Sequence, residues 1–322
     1  MQPVQALLDR QDDQLTMVIR DIRREADAVI SLVLGLPDGG VLPAWQPGAH
    51  VDLVLPGLVR QYSLCGNPDS RGSYRLGVLR EPDSRGGSRH VHEQLAVGDT
   101  VGVRGPRNRF PLVEATRYVF VAGGIGITPL LPMIGELAER GADWTLVYGG
   151  RSRSSMAFLP ELARYGDRVS VRPQDEFGLL DLDGICAVAG DAVVYCCGPE
   201  PLIAALEAAC SRHPEIDLHL ERFTARQVGP DLGLARFEVH CADSGVTVTV
   251  AEQESMLDAL IAAGVDMNYD CREGTCGSCE LDVLDGEVAH RDSVYTAAEH
   301  ASMSVVFPCV SRAACDRIVL DV

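Results

Sequence analysis

Four cysteines impose the first chemical constraint on this chain. Cys271, Cys276 and Cys279 stand in a C-x4-C-x2-C run, and Cys309 follows after 29 intervening residues. This is the plant-type spacing for a 2Fe–2S cluster, in which four thiolates hold two irons and three come from one wrapped loop. Gly274 and Gly277 inside the run permit positive φ and turn backbone N–H groups toward the sulfurs. Structural zinc would pair two such cysteine knuckles, and only one half is present. The other seven cysteines fall mostly in apolar segments and read as small buried hydrophobes.

Two glycine-rich turns and one strand carry further chemistry. In VAGGIGITP (121–129), Gly123, Gly124 and Gly126 would let a pyrophosphate approach a helix N-terminus. The run is not a full dinucleotide fingerprint, because Pro129 stands where a third glycine belongs. A tight strand-to-helix turn explains it equally well. In RGGSR (85–89), Gly86, Gly87 and Ser88 could cradle a phosphate beside Arg85, although Ser88 is also a good helix N-cap. Arg60, Tyr62 and Ser63 sit on one strand and suit a planar, anionic, hydrogen-bonding ligand, although by pattern alone the trio reads as mostly structural.

These residues need elements to position them. Period-two alternation marks strands at 15–19, 28–36, 50–55, 60–64, 74–79 and 100–103, with one helix at 88–95, and predicts an antiparallel barrel. From residue 117 the pattern becomes strand and helix in alternation: strands 117–121, 144–148, 168–172 and 192–196, helices 129–140, 158–165 and 199–210. That predicts a parallel sheet covered on both faces. Residues 224–235 read as a linker. Beyond them come a hairpin (236–241 and 246–250), a helix at 255–263 with Ser255 as cap and Gly264 as stop, the cysteine loop and terminal strands. The expected fold is multidomain α/β plus β, in three modules.

Composition narrows the function. All 28 basic residues are Arg, there are 46 acidic residues, and the net charge of −18 argues against nucleic acid or anionic membrane as a partner. Eleven cysteines behind an acidic N-terminus with no apolar leader point to metal or redox chemistry in the cytoplasm. The longest apolar stretch, 119–135, contains four Gly and two Pro and does not read as a membrane span. Residues 234–322 hold 16 acidic and 5 basic residues, a net of −11, so this module would steer a partner with a basic patch.

The strings RQYSL (60–64), RGGS (85–88), PRNRFPL (106–112), VAGGIGITP (121–129), YCCGPEPL (195–202), CREGTCGSC (271–279) and CVSRA (309–313) together resemble the phthalate dioxygenase reductase family of the ferredoxin–NADP reductase superfamily. The resemblance covers nearly the whole chain. It implies an FMN-binding β-barrel at 1–112, an NAD(P)H-binding domain at 113–225, a linker at 226–235 and a β-grasp plant-type ferredoxin domain at 236–322. It implies FMN contacts from Arg60, Tyr62, Ser63, Gly77, Val78, Leu79, Arg85, Gly86, Gly87, Ser88, Thr128 and Phe223. Gly123, Gly124, Gly126, Cys197, Gly198 and Pro199 would receive the nicotinamide nucleotide, with Thr128, Cys197 and Phe223 near the reacting rings. The string GGRSRSSMAF (149–158) departs from the expected pattern: Ser152 stands where an acid would grip an NADH ribose, and Arg151 and Arg153 could take a 2′-phosphate.

The implied activity is an NAD(P)H-dependent oxidoreductase that passes single electrons to a partner oxygenase. A Rieske-type ring-hydroxylating or demethylating partner is expected, with a cytochrome P450 as the alternative. A redox sensor is a third reading.

Overall fold

The alternation in the first third of the chain closes into a six-stranded antiparallel sheet. In the computed structural model, which describes residues 14–82, 86–224, 235–269, 271–295 and 297–322, these strands are β1 (Leu15–Ala26), β2 (Val29–Gly35), β3 (Ala49–Leu55), β4 (Leu58–Ser63), β5 (Tyr74–Leu79) and β6 (Thr100–Asn108), in the order β4-β3-β6-β1-β2-β5. Met17 and Ile19, Leu32 and Leu34, Val51 and Leu53, Leu76 and Val78, Val101 and Val103 all point into one core. Each such pair is an i, i+2 step on one face.

The edge strands β4 and β5 meet through a single antiparallel bridge, Leu64 to Leu76. That register runs Ser63 toward Gly77 and Tyr62 toward Val78. Helix α1 (Gly87–Gln94) lies over this seam and contacts both strands. Two strands run longer than their apolar pattern. The charged half of β1 is held by its ladder to β2 (Ile22 to Leu32, Arg24 to Ile30), and the end of β6 by its ladder to β3 (His50 to Arg107). Main-chain pairing leaves no hydrophobic trace in a sequence.

The second sheet is fully parallel: β7 (Arg117–Gly123), β8 (Asp143–Gly150), β9 (Val169–Pro173), β10 (Val193–Cys197) and β11 (Asp217–Glu221), in the order β11-β10-β7-β8-β9. Alternate residues of its central strands feed two separate cores. Tyr118, Phe120, Ala122 and Tyr195 pack with α2 (Ile127–Glu139) on one face. Val119, Val121, Val194 and Cys196 pack with α5 (Leu182–Ala189) and α6 (Glu200–Cys210) on the other.

The helix expected at 158–165 is shortened to α3 (Leu159–Leu162) and a 3-10 stretch at 163–168, where Gly166 takes φ 56°. α4 (Gln174–Phe177), α5 and β11 were not anticipated; each is only four to eight residues long.

Chain contacts divide the molecule into Met1–Glu221 and Arg222–Val322. The second unit holds a five-stranded sheet, β13-β12-β18-β14-β16, built from β12 (Phe237–Cys241), β13 (Thr247–Val250), β14 (Leu281–Asp285), β16 (Val305–Val306) and β18 (Arg317–Leu320). β15 (Val288–Ala289) pairs with β17 (Arg312–Ala313). Helix α7 (Met256–Ala262) starts as expected: the Asp258 N–H donates to the Ser255 hydroxyl at 3.0 Å, and Gly264 ends the turn at φ 81°. A short α8 (Ala297–His300) precedes β16. Most of the expected linker, 225–234, lies outside the described residues.

Candidate functional site

The cysteine loop folds into one pocket of sulfur. Cys271, Cys276, Cys279 and Cys309 are all buried, and Cys271 shares hydrogen bonds with both Cys276 and Cys309. Cys309 also bonds Cys279. This mutual bonding drives the Cys271 thiol far down and pushes Cys276 and Cys309 far up, since the sulfurs compete for protons in one small space. Gly274 and Gly277 take φ 66° and 75°, as the spacing predicted, and Arg272 joins them at 56°. The loop's own N–H groups then face inward: Glu273 donates to Cys271 Sγ at 3.2 Å and Ser278 to Cys276 Sγ at 3.3 Å. Leu257 and Phe307 form an apolar shell with Cys279 and Cys309. Four convergent thiols with N–H donors already aimed at them fit a 2Fe–2S cluster.

The barrel seam gathers another group of the expected residues. A Cβ at Gly87 would lie 2.6 Å from Arg60 Cγ, so the Arg60 stem runs against the start of α1. Gly86 takes φ 104°, and no side chain caps that helix. Ser88 is therefore not its N-cap; its hydroxyl accepts the Glu81 N–H at 3.1 Å. Uncapped N–H groups beside a guanidinium fit a phosphate. Arg85 lies outside the described residues. Tyr62 is partly buried, and the loss of solvent pushes its phenol up and keeps it a hydrogen-bond donor.

Across the seam, a Cβ at Gly77 would lie 2.6 Å from Thr128 Cγ2 and 3.2 Å from Phe158. Thr128 thus presents its methyl to β5, while its hydroxyl donates to Ile125 O at 2.9 Å. Phe223 falls at the start of the second unit and is exposed.

The two glycine turns of the parallel sheet pack on each other. A Cβ at Gly126 would sit 2.2 Å from Cys197 O, one at Gly123 2.7 Å from Pro199 Cδ, and one at Gly198 3.0 Å from Gly123 Cα. Gly124 alone faces open space, at φ 55°. The close packing of the two turns accounts for three of these glycines, and Gly124 is the one with open space beside it.

Cys197 is fully buried, and its register partner across the parallel pair is Glu221. Its Sγ donates to Glu221 Oε2 at 3.9 Å. Burial pushes the Glu221 carboxyl up to about 8 and the thiol higher still. Sequence reasoning missed Glu221; the signal was an acid ending a strand beside the CGP strand. Because the native carboxyl keeps its proton, the folded chain binds more protons than the unfolded one from about pH 4.5 to 8. Stability is therefore expected to fall as pH rises through that window and then to level off. Thermal unfolding of Glu221→Gln across this range should show a shallower slope than the parent; equal slopes would remove Glu221 as the source.

At the ends of β8 and β9, Arg153 forms a two-point ion pair with Glu176 (3.1 and 3.2 Å). The Asp175 N–H donates to Arg151 O at 3.2 Å. An acid does stand here, Glu176 in α4 after the neighbouring strand, rather than at Ser152.

Comparison with known proteins agrees with this geometry. Residues 239–315 match the family model described as a 2Fe-2S iron-sulfur cluster binding domain. The phenoxybenzoate dioxygenase subunit beta of Ectopseudomonas oleovorans is 43% identical over 95% of this chain and 97% of its own length. Among solved structures, phthalate dioxygenase reductase superposes with TM-score 0.73 at 32% identity, covering 98% of this chain and 99% of that one. An intact type IV self-sufficient cytochrome P450 monooxygenase matches at TM-score 0.87 and 45% identity. That match covers 96% of this chain but only 41% of the longer protein.

The fold and site define a modular flavin and iron–sulfur oxidoreductase, a reductase component of the kind that serves oxygenases. The chain belongs to the phthalate dioxygenase reductase family.

No helix among the described residues is long and apolar enough to cross a membrane.

Proposed function

We propose that this chain takes a hydride from NADH onto FMN and delivers single electrons, through its 2Fe–2S cluster, to a Rieske-type oxygenase in the cytoplasm. When bound, the flavin supplies the exchange between a two-electron donor and a one-electron acceptor. The observation that carries the reading is the seam, where Arg60 packs on the uncapped start of α1 and Gly77 of β5 stands beside Thr128 at the start of α2.

In this reading Arg60 and the N–H groups of Gly86, Gly87 and Ser88 hold the flavin phosphate. Tyr62, Ser63 and the β5 residues Gly77, Val78 and Leu79 flank the ring. The methyl of Thr128 limits its approach from α2. Gly124 opens the pyrophosphate turn, and Cys197 and Glu221 place a neutral, proton-holding pair at the end of β10. Cys271, Cys276, Cys279 and Cys309 ligate the cluster. Residues 1–112, 113–225 and 236–322 are the three working domains, joined last by 226–235. The −11 of residues 234–322 supports docking of the oxygenase on that module.

A cytochrome P450 partner is the second reading, supported by the closer superposition on the P450 monooxygenase.

Anaerobic titration with NADH, followed by flavin and cluster absorbance, is expected to bleach both at about three electrons per chain. Bleaching of flavin alone would break the relay at the last module. No response to NADH, or to NADPH in a separate titration, would turn the reading to a sensor.

NADH is expected over NADPH because Glu176 occupies Arg153 and would repel a 2′-phosphate. Glu176→Gln should release that guanidinium and raise kcat/KM for NADPH by about tenfold, the size of one charge-assisted contact. An unchanged NADPH rate would place the discrimination elsewhere.

A further inference from the structure

A second group of metal-binding side chains lies in the ferredoxin unit, apart from the four thiols. His290 follows β15, Asp292 comes two residues later, and His300 ends α8. The Asp292 carboxylate is completely buried, and both imidazoles turn onto it. His300 Nε2 lies 3.0 Å from Oδ2, and His290 Nδ1 lies 3.6 Å from Oδ1. The donor atoms of the three residues all fall within 4.8 Å of one another.

The carboxylate's other contacts are long: the Ser311 hydroxyl at 3.4 Å, the Val294 N–H at 3.3 Å and the Tyr295 N–H at 3.4 Å. A buried anion normally draws its donors closer than this. His290 Nδ1 is itself buried and has no hydrogen-bond partner among the described residues. A ring nitrogen without a hydrogen-bond partner therefore stands 3.6 Å from a fully buried carboxylate.

The two imidazoles stack 3.8 Å apart at 15°. A neutral imidazole offers a ring-nitrogen lone pair to a metal ion. The group is one carboxylate and two imidazoles.

We propose that His290, Asp292 and His300 form a binding site for one divalent transition cation of the zinc class. Nitrogen and carboxylate oxygen bind zinc at about 2.0–2.2 Å, so tetrahedral ligands stand about 3.3 Å apart. The observed separations of 3.0 and 3.6 Å bracket that spacing, and a modest turn of the stacked rings brings both lone pairs onto the ion. Three protein ligands leave a fourth position open. Behind them, Ser311 bonds Asp292 and accepts the Arg291 N–H at 3.1 Å, which fixes the carboxylate's direction.

The site backs directly onto the cysteine loop. The Ser293 N–H donates to Gly274 O at 2.7 Å, and a Cβ at Gly274 would come within 3.1 Å of Asp292 Cα. A positive ion here favours the more negative, reduced state of the neighbouring cluster. Its binding is expected to move the cluster's potential in the positive direction.

The test uses untagged, full-length protein with its cluster intact, washed with chelator and titrated with ZnCl2. One equivalent should bind per chain while iron content and cluster absorbance stay constant. His300→Gln and His290→Gln should each weaken binding at least about tenfold. Zinc uptake that displaces iron would assign the binding to the thiols and overturn the proposal, as would equal affinity in the double variant. If either variant fails to hold its cluster, CoCl2 added to the parent protein gives a second readout. Nitrogen and oxygen ligation should produce weak d–d bands without a sulfur-to-cobalt charge-transfer band, and appearance of that band would overturn the proposal.

Discussion

Replacing Cys309 with serine is expected to stop electron delivery while leaving reduction of the flavin by NADH intact. Cys309 comes from outside the loop that holds the other three cysteines, in a segment tied to the start of α7 by the Leu257 N–H, which donates to Pro308 O at 2.9 Å. Its sulfur is buried against Leu257 and Phe307 and bonds both Cys271 and Cys279. A serine oxygen there is a harder, poorer ligand for iron than a thiolate. Loss of even an outer-shell partner of a metal site costs about 10–100-fold, so loss of a ligand should cost at least the upper value. Cytochrome c reduction by NADH would read the loss, and ferricyanide reduction, which needs only the flavin, should be unchanged. Undiminished cytochrome c reduction in a variant without cluster absorbance would show that electrons leave by another route.

The second large effect is expected at Gly126. An alanine methyl there would lie 2.2 Å from Cys197 O and 2.4 Å from Cys197 C. Backbone atoms of a central strand cannot swing aside as a side-chain tip can. Either α2 or the CGP turn must move, at a cost of about 1–3 kcal/mol or more. For a domain of this size that lowers Tm by roughly 5 °C or more. The same shift separates the two turns proposed to grip the nucleotide, so KM for NADH should rise well beyond what the stability loss explains. Gly124→Asn is the control. It meets open space at φ 55°, a conformation asparagine tolerates, and should leave Tm nearly unchanged. If both variants behave alike, the packing of the turns is not what demands glycine at 126.

The cysteine loop was legible because most of its chemistry is local: three of the four thiols and both glycines fall within residues 271–279, while Cys309 and the shell of Leu257 and Phe307 come from elsewhere in the chain. Barrel and parallel sheet were legible for a related reason, since period-two alternation persists wherever one face is dry. Tyr118 and Val119 show the limit of that signal. They are neighbours, both apolar, and nothing in the run said that they belong to opposite cores until helices were placed on both faces. Glu221 was illegible because its meaning depends on pairing with Cys197, 24 residues earlier, in a strand of five residues with three polar side chains. Glu176 was missed for the same reason: it reaches Arg153 only once β8 and β9 lie side by side. The cap reading of Ser88 fell away for a different reason. Its residue type suits a cap, but Gly86 at φ 104° takes the cap position two residues earlier and moves the serine inside the helix.

The barrel is zipped at only one end of its seam. Beyond the Leu64–Leu76 bridge, no ladder joins β4 to β5 among the described residues, so amides on that line are the cheapest to expose. Hydrogen exchange there should be fast in the bare protein. A ligand gripped from both strands would act as the missing rung, which makes cofactor retention and the barrel's resistance to unfolding one and the same quantity.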